Sequence, residues 1–243
     1  MSVGWHLQRM WAWCRFAPRG FRVRSGLFGL RFAAYAPGWG RTLGEELESG
    51  WYEHEELGLI LGTVGPGAQV VEVGGGVGYT ACHLSRLIGS AGRLVVVEPS
   101  TANVATIRRN LRLNRCANAT VVHAGVRLGA QADIQSAAVP TVSVRSVCER
   151  EGLDPTHVVL DCEGGEDAVF REEARWLAER GCSIVAELHP AFLGCSAGRI
   201  VAPLREMGFV VLEVSAPERG SVIALAMPPE GRRASIPIGV GEA

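Results

Sequence analysis

Val70–Gly89 reads VVEVGGGVGYTACHLSRLIG. A short apolar run is followed by four glycines in five positions, Gly74, Gly75, Gly76 and Gly78. An amphipathic segment comes next, with Ala81, Leu84 and Leu87 or Ile88 on one face. A strand, a glycine turn and a helix bring backbone close to a ligand, because glycine has no Cβ and enters left-handed φ freely. The dinucleotide fingerprint G-x-G-x-x-G is not met, since Tyr79 stands where the third glycine belongs. The spacing is instead E-x-G-x-G-x-G, from Glu72 through Gly74, Gly76 and Gly78. No Gly-Lys-Ser/Thr follows, which excludes a phosphate-binding P-loop.

An acid two positions before the first glycine suits a ligand that carries positive charge there. S-adenosylmethionine has an α-ammonium and a sulfonium and no phosphate, so Glu72 is expected to anchor its amino-acid end while Gly74, Gly75, Gly76 and Gly78 admit the ligand against the backbone. The next strand ends at Glu98, 20 residues past Gly78, an interval at which an acid accepts hydrogen bonds from ribose hydroxyls. That feature fits NAD equally; the glycine spacing is what favours the sulfur nucleoside. Asn103, just beyond, is a further adenosine-side candidate, or simply a helix-start residue.

Outward from this unit the pattern repeats. QVVEV, RLVVVE, ATVVHAG, HVVLD and SIVAEL read as strands, separated by helical NVATIRRNLRLN, VRSVCERE and EDAVFREEARWLAERG. GRIVAPLREMG reads as one helix despite Pro203, and FVVLEVS and SVIALAM as a hairpin around APERG. The fold class is therefore α/β and Rossmann-like: a mostly parallel seven-stranded sheet with helices on both faces and a C-terminal antiparallel hairpin. Ligands in such sheets lie beyond the carboxyl ends of the strands. This makes Glu72 to Gly78, Glu98, Ala124 to Val126, Asp161 to Glu163 and Glu187 to His189 the site candidates.

The chain has 243 residues, 47% hydrophobic, with net charge −1, which gives no general reason to bind nucleic acid. The seven cysteines are widely spaced without a C-x-x-C, which argues for a reducing cytosol rather than a disulfide framework. Residues 1–44 carry seven Arg, nine aromatics and no Asp or Glu, and form an extension before a domain over 45–243. Membrane-surface contact, a lid over the substrate and simple packing on the core all fit that segment.

GWYEHEE, EVGGGVGY, VVEPSTANVATIRRNLRLN, LDCEGGED and AELHP together resemble the FkbM family of class I methyltransferases, from about Gly50 to Pro190. The specific part is D-x-E-G-x-E, here Asp161, Glu163, Gly164 and Glu166, followed by E-x-H-P, here Glu187, His189 and Pro190. The resemblance implies methyl transfer from S-adenosylmethionine to a hydroxyl of a small-molecule, sugar or secondary-metabolite acceptor. The family commonly has Ala-Asn where Gly75 and Gly76 stand, and Lys where this chain has Val159.

Asp161, Glu163 and His189 are the catalytic candidates, at the ends of two strands expected to be neighbours. His189 is expected to be the general base, because an unperturbed imidazole titrates near neutrality, with Asp161 or Glu187 orienting it. The same three groups can instead hold a divalent metal, which the spacing does not require. Glu166 is expected to be an acid in a first helical turn. His83 and His123 are expected to be structural, and His54 to lie near the site mouth. A nicotinamide-dependent oxidoreductase and a catalytically silent cofactor-binding module are the rival readings. Methylation of nucleic-acid amino groups lacks its Asn/Asp-Pro-Pro-aromatic element, because DCEG occupies that place.

Overall fold

The computed structural model describes residues 22–25, 28–33, 43–49, 52–126, 139–216 and 221–229. Its centre is a seven-stranded sheet. In chain order the strands are β3 (Gln69–Val73), β4 (Arg93–Glu98), β5 (Ala119–His123), β8 (His157–Leu160), β9 (Ser183–Leu188), β10 (Val210–Ala216) and β11 (Ser221–Met227). Their spatial order is β10-β11-β9-β8-β3-β4-β5, and β11 alone runs antiparallel to its neighbours. The chain order reverses between β3 and β8, which places the crevice of a doubly wound sheet between those two strands.

Alternation along the strands builds two cores. Val70, Val96, Val159 and Val185 join one apolar cluster with helices α2 (His54–Thr63) and α3 (Tyr79–Ile88); Val71, Val73, Val95, Val97, Val158 and Leu160 join the other. That second cluster takes Val144 and Val147 of α5 (Val144–Glu151) and Phe170, Ala174 and Leu177 of α6 (Glu166–Arg180). Helix α4 (Thr101–Leu113) starts on a Ser100 cap and buries Val104, Ile107 and Leu111, the stripe expected from its periodicity. Ser143 and Ser146 make a reciprocal capping box at the start of α5.

The expected helix over GRIVAPLREMG is two short ones, Ala197–Ile200 and Ala202–Glu206, parted at Val201. Pro203 is the reason: it has no N–H to continue the ladder, and it sits in the first turn of the second piece. His123 is not in an apolar environment; it is exposed on the edge strand β5, with Nε2 against the Pro99 carbonyl. A two-residue parallel pair, β6 (Gly125–Val126) with β7 (Thr141–Val142), was not foreseen.

The described part of residues 1–44 packs on the core. It forms a hairpin of β1 (Arg22–Arg24) and β2 (Arg31–Ala33), followed by α1 (Leu43–Ser49). Two asparagines one turn apart clip β2 to α4: Asn114 bonds both the N–H and the carbonyl of Arg31, and Asn110 Oδ1 accepts from Ala33 N–H. Asn110 Nδ2 donates to Val77 O, so the same residue ties the hairpin to the glycine turn. Tyr79, in the place of the third fingerprint glycine, is 1% exposed and packs against Phe32, Tyr52 and His83. Most of the Arg- and Trp-rich segment, including Trp5, Trp11, Trp13 and Trp39, lies outside the described residues. Among the described residues no helix is long and apolar enough to cross a membrane.

Candidate functional site

The glycine turn closes onto the crevice between β3 and β8. Gly74 has φ +91, and a Cβ there would stand 1.6 Å from the Asp161 carbonyl oxygen. A Cβ on Gly75 would meet Val96 Cγ1 at 2.5 Å and Ile107 Cδ1 at 2.7 Å, and one on Gly78 would meet Ile107 Cα at 3.1 Å. These three glycines are thus needed for the protein's own close packing, whatever room they also leave a ligand. Gly76, with φ +51, turns its N–H onto Glu98 Oε2 at 3.0 Å.

Glu98 ends β4 beside this turn. Its Oε1 accepts from Ser100 N at 2.7 Å and Asn103 Nδ2 at 3.3 Å. Three N–H donors therefore hold the carboxylate in one orientation, leaving roughly one of its four lone-pair directions for a hydroxyl. Burial raises the Glu98 pKa against those three hydrogen bonds. Asn103 supports Glu98 through this bond.

Glu72 lies within β3, 3% exposed, and its Oε2 has no hydrogen-bond partner. Burial, and then the charges of Glu53, Glu98 and Asp161, push its pKa well above the ordinary carboxylate value. Such a group gains from a cation placed beside it, which would restore the charge that burial disfavours.

On the other side of the crevice, β8 delivers Asp161 and β9 delivers Glu187 and His189. The loop Asp161–Gly165 is ordered by Glu166, which is fully buried and accepts from Cys162 N and Gly164 N, both at 3.0 Å. Glu166 also meets His189 Nδ1 at 3.1 Å, while His189 Nε2 points to Asp161 Oδ1 at 3.6 Å. Glu166 is therefore more than an acid in a first helical turn. Glu163, grouped with Asp161 and His189 on sequence grounds, is exposed with φ +55 and acts on both through its charge, while Glu166 makes the direct contact with the histidine. The His189 ring stacks on Phe192, with 5.5 Å between centroids.

These contacts set the titration of His189. Desolvation disfavours its charge but is outweighed by the Glu166 bond and the charges of Glu166, Asp161 and Glu163, so the imidazole titrates at about 9. The pairing favours the imidazolium, and His189 serves as a general base only in its neutral form. Burial, followed by Glu53 and Glu187, pushes the Asp161 pKa well above the ordinary range, with His189 opposing. A carboxylate so raised is the better proton acceptor.

Helix α2 completes the site, from residues the sequence did not single out. Glu53, in left-handed backbone at its N-cap, accepts from Thr80 Oγ1 at 2.6 Å. Glu56 is 2% exposed with Oε1 unpartnered, and burial followed by Glu53, Asp161, Glu72 and Glu187 raises its pKa. Glu187 is 6% exposed and accepts from Ser221 Oγ at 2.5 Å. His54 is exposed and pairs with Glu55 at 2.8 Å, on the helix that covers the crevice. His83 is buried against Tyr79 O, a structural role as expected.

Among the described residues, Asp161, Glu166 and His189 are the one group whose ligand atoms fall within 4.8 Å of one another. Two of its members are already committed, Glu166 to backbone N–H groups and His189 to its proton.

The fold is that of class I, Rossmann-like S-adenosylmethionine-dependent methyltransferases. The family model for Protein-L-isoaspartate(D-aspartate) O-methyltransferase matches residues 55–142, from α2 through β7. A precorrin-6y C5,15-methyltransferase from Geobacter metallireducens GS-15 superposes with TM-score 0.50 at 18% identity, over 72% of this chain and 88% of that one. Aeropyrum pernix fibrillarin, solved with S-adenosyl-L-methionine bound, gives TM-score 0.49 at 18% identity, over 68% of each chain. A SAM-dependent methyltransferase from Aquifex aeolicus gives 0.45 at 14% identity, over 71% and 88%. At these identities the likeness is one of fold. No curated protein matches the chain.

Proposed function

We propose that this protein transfers a methyl group from S-adenosylmethionine to a hydroxyl oxygen of a small-molecule or glycan-like acceptor. The observation that carries the cofactor is Glu72: a buried carboxylate with an unpartnered oxygen, two residues before the glycine turn. The cofactor's ammonium satisfies that oxygen, whereas the pyrophosphate of a dinucleotide would bring like charge toward it. Glu98 would take a ribose hydroxyl. The motif likeness to the FkbM family supports the same reading, and it extends to the choice of oxygen.

The bound cofactor supplies a methyl activated on a positively charged sulfur. The protein's part is orientation and proton transfer. Asp161, at the carboxyl end of β8, accepts the hydroxyl proton as the oxygen bonds to the methyl carbon and the carbon–sulfur bond breaks. His189 holds Asp161 by charge, and Glu166 holds His189 and the Asp161–Gly165 loop together. A positioned base contributes roughly 10²–10⁴-fold.

An acceptor screen with labelled S-adenosylmethionine, run with and without chelator, tests this reading. In an active pair, Asp161→Asn is expected to lose roughly 10²–10⁴-fold in turnover while S-adenosylhomocysteine affinity is kept. Chelator-sensitive turnover would instead favour a metal at Asp161, Glu166 and His189. Absence of turnover with intact cofactor binding would favour a silent binding module.

A further inference from the structure

The crevice gathers more acidic side chains than the proposed cofactor accounts for. Glu53, Glu56, Glu72, Asp161 and Glu187 come together from α2, β3, β8 and β9, and each is felt electrostatically by others of the set. His189 is the positive group acting on Asp161. S-adenosylmethionine brings two positive groups and one carboxylate, a net single positive charge. The five acids outnumber the positive groups around them, and burial raises the pKa of Glu56, Glu72 and Asp161, so a second cation placed in this surplus of acids would restore charge that burial suppresses. The sheet order fixes the position of these acids: Glu98 on β4 marks the ribose end, Glu72 on β3 the amino-acid end, and Asp161 and Glu187 on β8 and β9 lie one and two strands further on.

Two of these five acids accept hydrogen bonds within the protein, and Asp161 faces His189. Thr80 Oγ1 bonds Glu53 and Ser221 Oγ bonds Glu187. Two buried oxygens are left without a partner, Glu72 Oε2 and Glu56 Oε1. The cofactor accounts for the first. Glu56, 2% exposed among the other four, stays unaccounted for.

We propose that the methyl acceptor carries a protonated amine beside the hydroxyl that is methylated, and that Glu56 and Glu187, behind Asp161, are the anionic wall that selects it. The proposal rests on the oxygen-transfer reading above and names the acceptor's class: an amino alcohol or amino-sugar unit. The amine is a handle and not the nucleophile. Neighbouring carboxylates stabilise the ammonium form, which has no lone pair to attack the methyl. A divalent metal fits the surplus less well, because a metal needs several converging oxygens and those of Glu53, Glu166 and Glu187 are engaged by Thr80, backbone N–H groups and Ser221.

The test uses the full chain saturated with S-adenosylhomocysteine at pH 6.5, with D-glucosamine, N-acetyl-D-glucosamine and D-glucose as probes and ligand-observed NMR as readout. Glucosamine is expected to bind at least about tenfold more tightly than the two neutral sugars, as one desolvated charge-assisted hydrogen bond implies. Glu56→Gln and, separately, Glu187→Gln are expected to cut that preference severalfold without changing S-adenosylhomocysteine affinity. The second variant keeps the test decisive if the first fails to fold. Equal binding of the three sugars, or binding of none, overturns the proposal. So does a preference that persists in both variants. Magnesium or manganese binding that depends on Glu56, with the amine ignored, overturns it in favour of a metal. Failure of S-adenosylhomocysteine itself to bind is a separate result and removes the cofactor reading beneath.

Discussion

His189 and Glu166 are joined by a 3.1 Å contact between Nδ1 and Oε1, and this contact keeps the histidine a cation. The folded pKa of about 9 lies above the ordinary value of 6.5. Folding therefore gains from the charged ring at any pH below about 6.5, and that gain fades as pH rises through about 9. Urea unfolding between pH 6 and 9.5 is expected to show stability falling by up to about 3 kcal/mol across the window. His189→Gln should flatten that fall, and a flat profile in the unaltered protein would contradict the pairing.

Glu166→Gln tests the loop. The carboxylate is fully buried and serves Cys162 N–H, Gly164 N–H and His189 at once. An amide keeps the shape but loses the charge and turns an N–H₂ toward a donor. A loss of about 1–3 kcal/mol is expected in denaturant unfolding. The His189 pKa should fall toward neutrality, measured by NMR titration of the ring.

Gly74→Ala tests the closeness of β3 to β8. The added Cβ would stand 1.6 Å from the Asp161 carbonyl, against backbone that cannot swing aside, at a φ of +91. The variant is expected to lose at least about 3 kcal/mol of stability or fail to fold, by circular dichroism and thermal melting. Gly67→Ala is a useful contrast, because no atom lies within 4 Å of its Cβ position and only its φ of +80 is strained. A melting temperature for Gly74→Ala equal to that of Gly67→Ala would refute the argument.

Much of the cofactor half is legible in the sequence because it is local. Glu72, the glycines and Glu98 follow one another along a strand, a turn, a helix and the next strand, so spacing alone places them. The acceptor half is assembled from distant pieces. Glu53 and Glu56 read as ordinary acids in an acidic stretch, YEHEE, and only the packing of α2 over β9 buries Glu56. Glu166 reads as an acid at a helix start, which it is, but its carboxylate folds back onto the preceding loop. His189 shows the same limit: its pKa is set by Glu166 and Asp161, and distance along the chain does not report their approach. Tyr79 carried a usable signal, an aromatic where the fingerprint has glycine, and its meaning lay in the hairpin of β1 and β2 packed against it.

Glu98→Ala is expected to weaken S-adenosylhomocysteine binding by roughly 10–100-fold, the loss of one hydrogen bond plus the freed Gly76, Ser100 and Asn103 donors. The fold should survive, since Glu98 lies at a strand end. Unchanged affinity would remove Glu98 from the cofactor site.

The central claim is that the crevice between β3 and β8 is built for a positively charged sulfur nucleoside. Isothermal calorimetry of the full chain with S-adenosylmethionine and, separately, with NADH tests this. One-to-one binding of S-adenosylmethionine, weakened by Glu72→Gln, is expected, with no heat from NADH. Binding of NADH with indifference to S-adenosylmethionine would overturn it.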